Sequence, residues 1–161
     1  MCEMKNSREV VLRYINASIS APLRDLADFY ATEVTIEMPF GQPLYPEYIE
    51  TSRDELRLKF DDAAAARRYS RVENVVVHET TDPEIVIAEY SLHGETLAAP
   101  HHSFVMPLIM VMTIREGVIV HTRDYNSPVA RAQSLGTVPQ LIAILQQIDV
   151  NQNAGDTKKA Q

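Results

Sequence analysis

Residues 103–116, "SFVMPLIMVMTIRE", are apolar on both faces of an extended chain: Phe104, Met106, Leu108, Met110 and Met112 alternate to one side, Val105, Ile109 and Val111 to the other. A strand of this kind has to be covered twice, because either face left in water would expose a row of aliphatic side chains. Three further segments, "RVENVVVHET", "EIVIAEYSLHG" and "VIVHTRDYN", share its β-branched and aromatic texture, and "TTDPE", "GETLAAPHH" and "REG" separate the four. They predict an antiparallel meander. Pro107 brings no N–H to a ladder, so a bulge is expected there.

The first half has helical periodicity. Asn6 with Glu9 reads as a capping box, and Val10, Val11, Tyr14, Ile15 and Ile19 recur at helical spacing, which predicts a helix over about Ser7 to Ser18. Ser20 and Pro22 open a short second helix through Leu23, Leu26, Ala27 and Tyr30. "VTIEM" alternates into a brief strand, stopped by a loop that holds Pro39, Gly41, Pro43, Pro46, Tyr45 and Tyr48. Ser52 and Glu55 form a second capping box ahead of Leu56, Phe60 and Ala63 to Ala66, and "FDDAAAARRYSR" reads as a solvated helix end with Arg67 and Arg68 favourable to its dipole. Ser127, Pro128 and Gly136 bound a helix, and Leu141, Ile144, Leu145 and Ile148 make a last apolar stripe. One domain over 1–148 is expected, with 149–161 as a disordered polar tail.

Helices followed by a curved meander define an α+β domain in which a curved antiparallel sheet wraps around the N-terminal helices and leaves a concave pocket. The formal net charge of -7 argues against nucleic acid and anionic membrane as partners. With a single cysteine, Cys2, near the terminus, there is no disulfide framework or cysteine metal site to build. No apolar run reaches the length of a signal peptide or a membrane span, which makes a cytoplasmic location the expectation.

Several stretches together resemble the nuclear transport factor 2-like superfamily, over roughly residues 7–148. "SRDELRLKF", "HETTDPEIVIAEYSLHG", "REGVIVHTRDYNSP" and "ARAQSLGTVPQL" are most similar to its SnoaL-like branch, and within that to the phenazine-biosynthesis A/B proteins. The resemblance implies a cone-shaped fold and an activity among isomerisation, cyclisation and dehydration. It also shows what has changed. Where ketosteroid isomerase carries a catalytic aspartate, "IEMPFG" has Met38, and the histidine and serine that the phenazine A/B proteins place on the third helix fall on Lys59 and Ala63. The acid of the last strand survives as Asp124.

Asp124 is therefore the leading acid-base candidate, since a carboxylate facing an apolar pocket is desolvated and its pKa raised. The bland alternative is a strand-end aspartate paired with an arginine or capping the next helix. His101 and His102 are auxiliary candidates; in an extended chain they face opposite sides, so at most one serves the pocket and they cannot readily share a metal. His93 reads as a turn residue, and His78 and His121 as sheet-face residues without a role. Tyr14 best matches a hydrogen-bond donor to a developing oxyanion, with Tyr30 next. Tyr30, Met38, Phe40, Tyr48, Leu56, Phe60, Tyr90, Met106 and Met110 are the expected walls for a hydrophobic ligand, although a methionine-rich core would explain the methionines equally well. The leading reading is a small enzyme needing neither cofactor nor metal, acting on a hydrophobic secondary metabolite. The competing one is a noncatalytic binding or scaffold member of the same fold. The two-faced strands predict a homodimer packed sheet to sheet.

Overall fold

The structure, a computed structural model, describes residues 6–158; Cys2 lies outside them. Helix α1 (Ser7–Ser20) is capped by the Asn6 side chain, which accepts from the Arg8 N–H at 2.9 Å. It buries Val10, Val11, Tyr14 and Ile15 of the expected stripe, whereas Ile19 in its last turn is exposed. The second helix differs from expectation: Leu23–Phe29 is a 3₁₀ helix, and Tyr30 opens a strand. Its physical reason is local. The Ser20 hydroxyl bonds the Asn16 carbonyl inside α1 at 2.9 Å, and no side chain caps the new segment. Seven residues with that start favour the tighter turn.

Strand β1 (Tyr30–Glu37) pairs with β2 (Tyr48–Ser52), which occupies chain expected to be loop. The capping box at Ser52 and Glu55 forms as expected and starts α2 (Arg53–Ala66), with the Glu55 carboxylate accepting from the Ser52 N–H at 2.9 Å. The solvated helix end expected at Arg67 and Arg68 is not there. Both residues begin β3 (Arg67–Glu79), and alternation turns Arg67 inward.

Strands β3, β4 (Ile85–Thr96), β5 (Ser103–Arg115) and β6 (Val118–Asn126) form the expected meander in a six-stranded sheet ordered β2-β1-β6-β5-β4-β3. All neighbours are antiparallel except β1 and β6, which run parallel. Glu116 and Gly117, both with positive φ, make the tight β5–β6 turn between paired Arg115 and Val118. Register shifts in β3, at Thr113/Ile114 and along β1 bend the sheet. Pro107 shows no bulge: it pairs in register with Ser91, and β6 ends opposite Leu108 at Asn126, so β5 has no β6 neighbour at the proline. His93, expected in a turn, sits within β4, with its Nε2 at 2.9 Å from Glu73.

The even-numbered residues of β5 and β4 face inward and pack against α1. Val86, Ala88, Tyr90, Leu92, Phe104, Met106, Met110 and Met112 join Val10, Val11, Tyr14 and Ile15 in one core. Ser127 caps α3 (Pro128–Leu135) and Gly136, at φ 69°, ends it, both as expected. Helix α4 (Val138–Lys158) runs past Asp149, so the disordered tail that the polar composition predicts is helical to Lys158; residues 159–161 lie outside the described residues. The segment contains no proline to stop the helix. Among the described residues no helix is long and apolar enough to cross a membrane.

Gly94 shows how tightly the inner face is built. A Cβ there would collide with the Arg68 carbonyl oxygen across the strand pair and come within 2.7 Å of the Phe104 ring. Backbone on one side and a core ring on the other leave little room to yield. Gly94→Ala is expected to cost about 1–3 kcal/mol, the usual scale of overpacking, read as a lowered denaturation midpoint. An unchanged midpoint would mean that β3 and β4 separate without cost.

Candidate active site

The inner face of β6 carries Thr122 and Asp124, opposite Met112 and Met110 of β5. The β1–β6 register, Ile36 beside Thr122 and Glu37 beside Arg123, brings Met38 level with Asp124 when extended by one residue. Met38 is buried. The carboxylate expected on this strand from the steroid isomerases is thus replaced by an apolar wall beside the acid that remains.

Asp124 retains some contact with solvent-sized space as a residue, but its Oδ1 is shut off from solvent and has no hydrogen-bond partner. Burial pushes its pKa up to about 6, while the nearby Thr122 hydroxyl and the positive charges of Arg131 and His121 pull the other way. A carboxyl of this kind exchanges protons near neutrality.

Three buried tyrosines lie near enough to feel its charge. The Tyr14 and Tyr30 hydroxyls are 3.0 Å apart, both buried, and their rings meet edge to face at 5.8 Å. The Tyr90 hydroxyl donates to Met110 Sδ at 3.1 Å. Burial raises all three phenols well above the ordinary tyrosine value, and the Asp124 charge adds to each shift. In Tyr14 the hydrogen bond with Tyr30 works against the shift, whereas in Tyr30 the bond with Tyr14 adds to it. Either hydroxyl can be the donor, and the bond between them uses one of the two protons and leaves the other free for a ligand oxygen.

Of the other expected walls, Leu56, Met106 and Met110 are buried, and Phe60 is half-buried with its ring 6.2 Å from that of Tyr30. Phe40 and Tyr48 lie outside the buried inner face. They are 62% and 55% exposed, and Phe40 packs edge to face against Tyr125 on the outer side of the sheet. Phe40 lies in the turn closed by the Gly41 N–H on the Met38 carbonyl, where alternation no longer constrains it. His101 and His102 stay in the β4–β5 connection, largely exposed. His101 Nδ1 donates to the Thr96 carbonyl at 3.1 Å and His102 Nε2 to the Gln133 carbonyl at 2.8 Å, and neither bonds Asp124. The histidine whose charge Asp124 feels is His121, bound on the outer face to Glu37 at 2.7 Å.

Two arginines that the sequence reading did not assign to the site, Arg67 and Arg131, lie near one another. Arg67, 9% exposed, donates from Nη1 to Ser134 Oγ at 3.0 Å and lies over the Tyr69 ring at 5.2 Å. Arg131 of α3 lies over the Tyr45 ring at 4.5 Å. The signal was present in "ARRYS", where Arg67 and Tyr69 share a face once the strand begins at Arg67, and in Arg131 and Ser134, three apart on one helix.

Similarity to known proteins agrees with this architecture. The chain is 26% identical over 145 residues to an uncharacterized PhzA/B-like protein of Pseudomonas aeruginosa, which covers 88% of this chain and 98% of that one. A crystal structure of a candidate isomerase from Bacillus subtilis superposes with a TM-score of 0.72 at 20% identity, covering 85% of this chain and 97% of the other. A candidate polyketide cyclase from Pseudomonas putida does so with a TM-score of 0.67 at 18% identity, covering 81% and 98%. The model of the SnoaL-like domain matches residues 11–122, well over half of the chain, and the protein belongs to that family, on the nuclear transport factor 2-like fold.

Proposed function

We propose that the protein is an isomerase- or cyclase-type enzyme that needs no cofactor, with Asp124 as the group that takes a proton from a hydrophobic substrate in the cone and returns it. One observation carries the reading: a carboxyl on the inner sheet face whose Oδ1 is buried without a partner and whose pKa is raised to about 6. Family membership and the fold of the cyclase and isomerase neighbours support the same role.

The chemistry follows from the geometry. The Asp124 carboxylate removes a proton from a carbon next to a carbonyl group, and the electron pair moves onto the carbonyl oxygen as an enolate. The Tyr14 hydroxyl, hydrogen-bonded to that of Tyr30, stabilises that oxygen as its charge develops. Protonated Asp124 then gives the proton back at a different carbon, or the enolate carbon closes a ring on a second carbonyl whose oxygen takes the proton. With a pKa near the working pH, Asp124 suits both the acceptance and the return.

The noncatalytic alternative draws on Met38 and on Lys59, which is exposed on α2. Deuterium exchange separates the two readings. In D2O the protein should catalyse label uptake at the acidic carbons of a panel of cyclic enones and β-keto esters, followed by NMR, and Asp124→Asn should abolish it. Equal exchange by both proteins sinks the catalytic assignment.

The outer sheet face fits association of two copies. Val105 and Ile109 are exposed there, and an open pocket of about 680 Å³ lined by Phe40, Tyr90, Pro107, Leu108, Ile109 and Tyr125 lies beside them. A homodimer by light scattering at micromolar concentration is expected, and a monomer would overturn that arrangement.

A further inference from the structure

Helix α4 leaves the domain with an apolar face that is covered only at its start. Leu141 is buried and Val138 half-buried, and the helix packs chiefly on α3. Farther along, Ile142, Leu145 and Ile148 are exposed, at 50%, 48% and 36%. The helix nevertheless runs to Lys158, through Asn151, Asn153, Gly155 and Asp156, which are weak helix formers. A helix of that composition is marginal in water by itself and is held by packing of its apolar face, which beyond Ile144 stays open to solvent.

Spacing and charge say what fits that face. Val138, Leu141, Leu145 and Ile148 recur at intervals of three, four and three, the spacing by which one helix seats against another. Ile142 and Ile144 widen the seam, and the rest of the helix surface up to Asn151 carries the amides of Gln140, Gln146, Gln147 and Asn151 with a single charge, Asp149. A two-fold contact sets each flank of a helix against an equivalent flank of the other copy. Flanks rich in one sign of charge would repel there, whereas amides both donate and accept and so complement themselves. In a chain of net charge -7, this nearly uncharged helix is where a second copy meets least repulsion. An anionic membrane surface fits poorly, since residues 138–157 contain no Lys or Arg and helices that seek such surfaces are basic.

We propose that α4 is a self-association helix, whose seam of Leu145 and Ile148, flanked by Ile142, pairs with α4 of a second copy. The contact is separate from the outer sheet face and owes nothing to the catalytic reading. Where two copies also meet sheet to sheet, α4 joins one such dimer to another. From Val138 to Ile148 the seam is only about 15 Å long at the rise of an α-helix. The interface is therefore small and forms at higher concentration than a contact between whole sheets.

The test is sedimentation velocity on the full chain at about 5 μM and about 500 μM, a hundredfold range that spans a weak pairing. The mass of the sedimenting species should double across it. Whether the species at low concentration is a monomer or a dimer tests the sheet contact; the doubling tests α4. Leu145→Gln combined with Ile148→Gln, both exposed in the single chain, should hold the mass at its low-concentration value. Val150→Gln is the matched control, since Val150 is 67% exposed but lies on the side of the helix away from the seam, and its doubling should be unchanged. Amide hydrogen exchange over residues 142–151 should slow as the native mass doubles and should not change in the double variant. A mass that stays constant, with or without binding to anionic vesicles, overturns the proposal. So does a doubling that survives Leu145→Gln with Ile148→Gln, one that Val150→Gln abolishes equally, or one that leaves exchange in α4 unaltered.

Discussion

Asp124→Asn is expected to lower turnover by about two to four orders of magnitude, the usual contribution of a positioned general acid or base, while making the folded protein more stable at pH 7. The two effects share one cause. A carboxyl whose pKa rises from its ordinary 3.8 to about 6 on folding holds its proton more tightly folded than unfolded. Between those two values the folded state binds more protons, so stability falls as pH rises through about 4 to 6 and stays low above that window. A shift of about two units corresponds to at most about 3 kcal/mol, and asparagine, which carries no charge, recovers part of it. The Asn variant should therefore melt higher than the native protein at pH 7, and the gap should close near pH 4. A variant that melts lower and keeps its activity per folded molecule would show Asp124 to be a structural residue.

The same ionisation sets the pH–rate profile. If proton removal begins the reaction, kcat/KM of the native protein rises with pH, with a midpoint near 6, because the free protein must hold Asp124 as carboxylate. Stability and activity then move in opposite directions through one window. That opposition is the signature of a functional group placed where folding alone would not keep it, since burying an unpaired carboxyl costs the fold what it gives to the chemistry.

The sequence made the frame legible wherever a local physical rule decided the outcome. Ser52 and Glu55 fixed the start of α2, Gly136 the end of α3, and strict alternation the inner face of β5, because each depends on residues a few positions apart. Rules of longer range were not readable in the same way. Strand β2 exists only because β1 offers it an edge, and Tyr48 to Ser52 carry no strong strand pattern of their own. Arg67 read as a helix-end charge because "AAAARR" is locally a strong helix-forming run that would carry the arginines on the last turn of α2; its inward place is tertiary, and its partner there is Ser134, 67 residues away. Asp124, Tyr14 and Tyr30 emerged because family resemblance and chemistry pointed to the same residues. His101 and His102 were chosen for their chemistry alone, and carbonyl oxygens at the end of β4 and in α3 took their donors.

Tyr14→Phe is the second large effect, and its partner variant makes it diagnostic. The Tyr14–Tyr30 pair has two hydroxyl protons and spends one between the rings, at 3.0 Å. One proton remains for a substrate oxygen, and the proposed role of Tyr14 as the oxyanion donor requires that proton to sit on Tyr14, with Tyr30 donating to it. Removing the Tyr14 hydroxyl deletes the donor itself, for which a loss of about 10²- to 10³-fold in kcat is expected, as for other single oxyanion donors. Removing the Tyr30 hydroxyl leaves the donor but takes away its polarisation, so Tyr30→Phe should cost no more than about tenfold. Both variants lose one buried hydrogen bond, and each should lose stability by a similar amount of about 1 kcal/mol. Equal stability losses with unequal rate losses, Tyr14 the larger, identify the donor. If the two variants lose rate equally, or Tyr30→Phe loses more, the direction of the hydrogen bond is reversed and Tyr30 is the residue that meets the oxyanion.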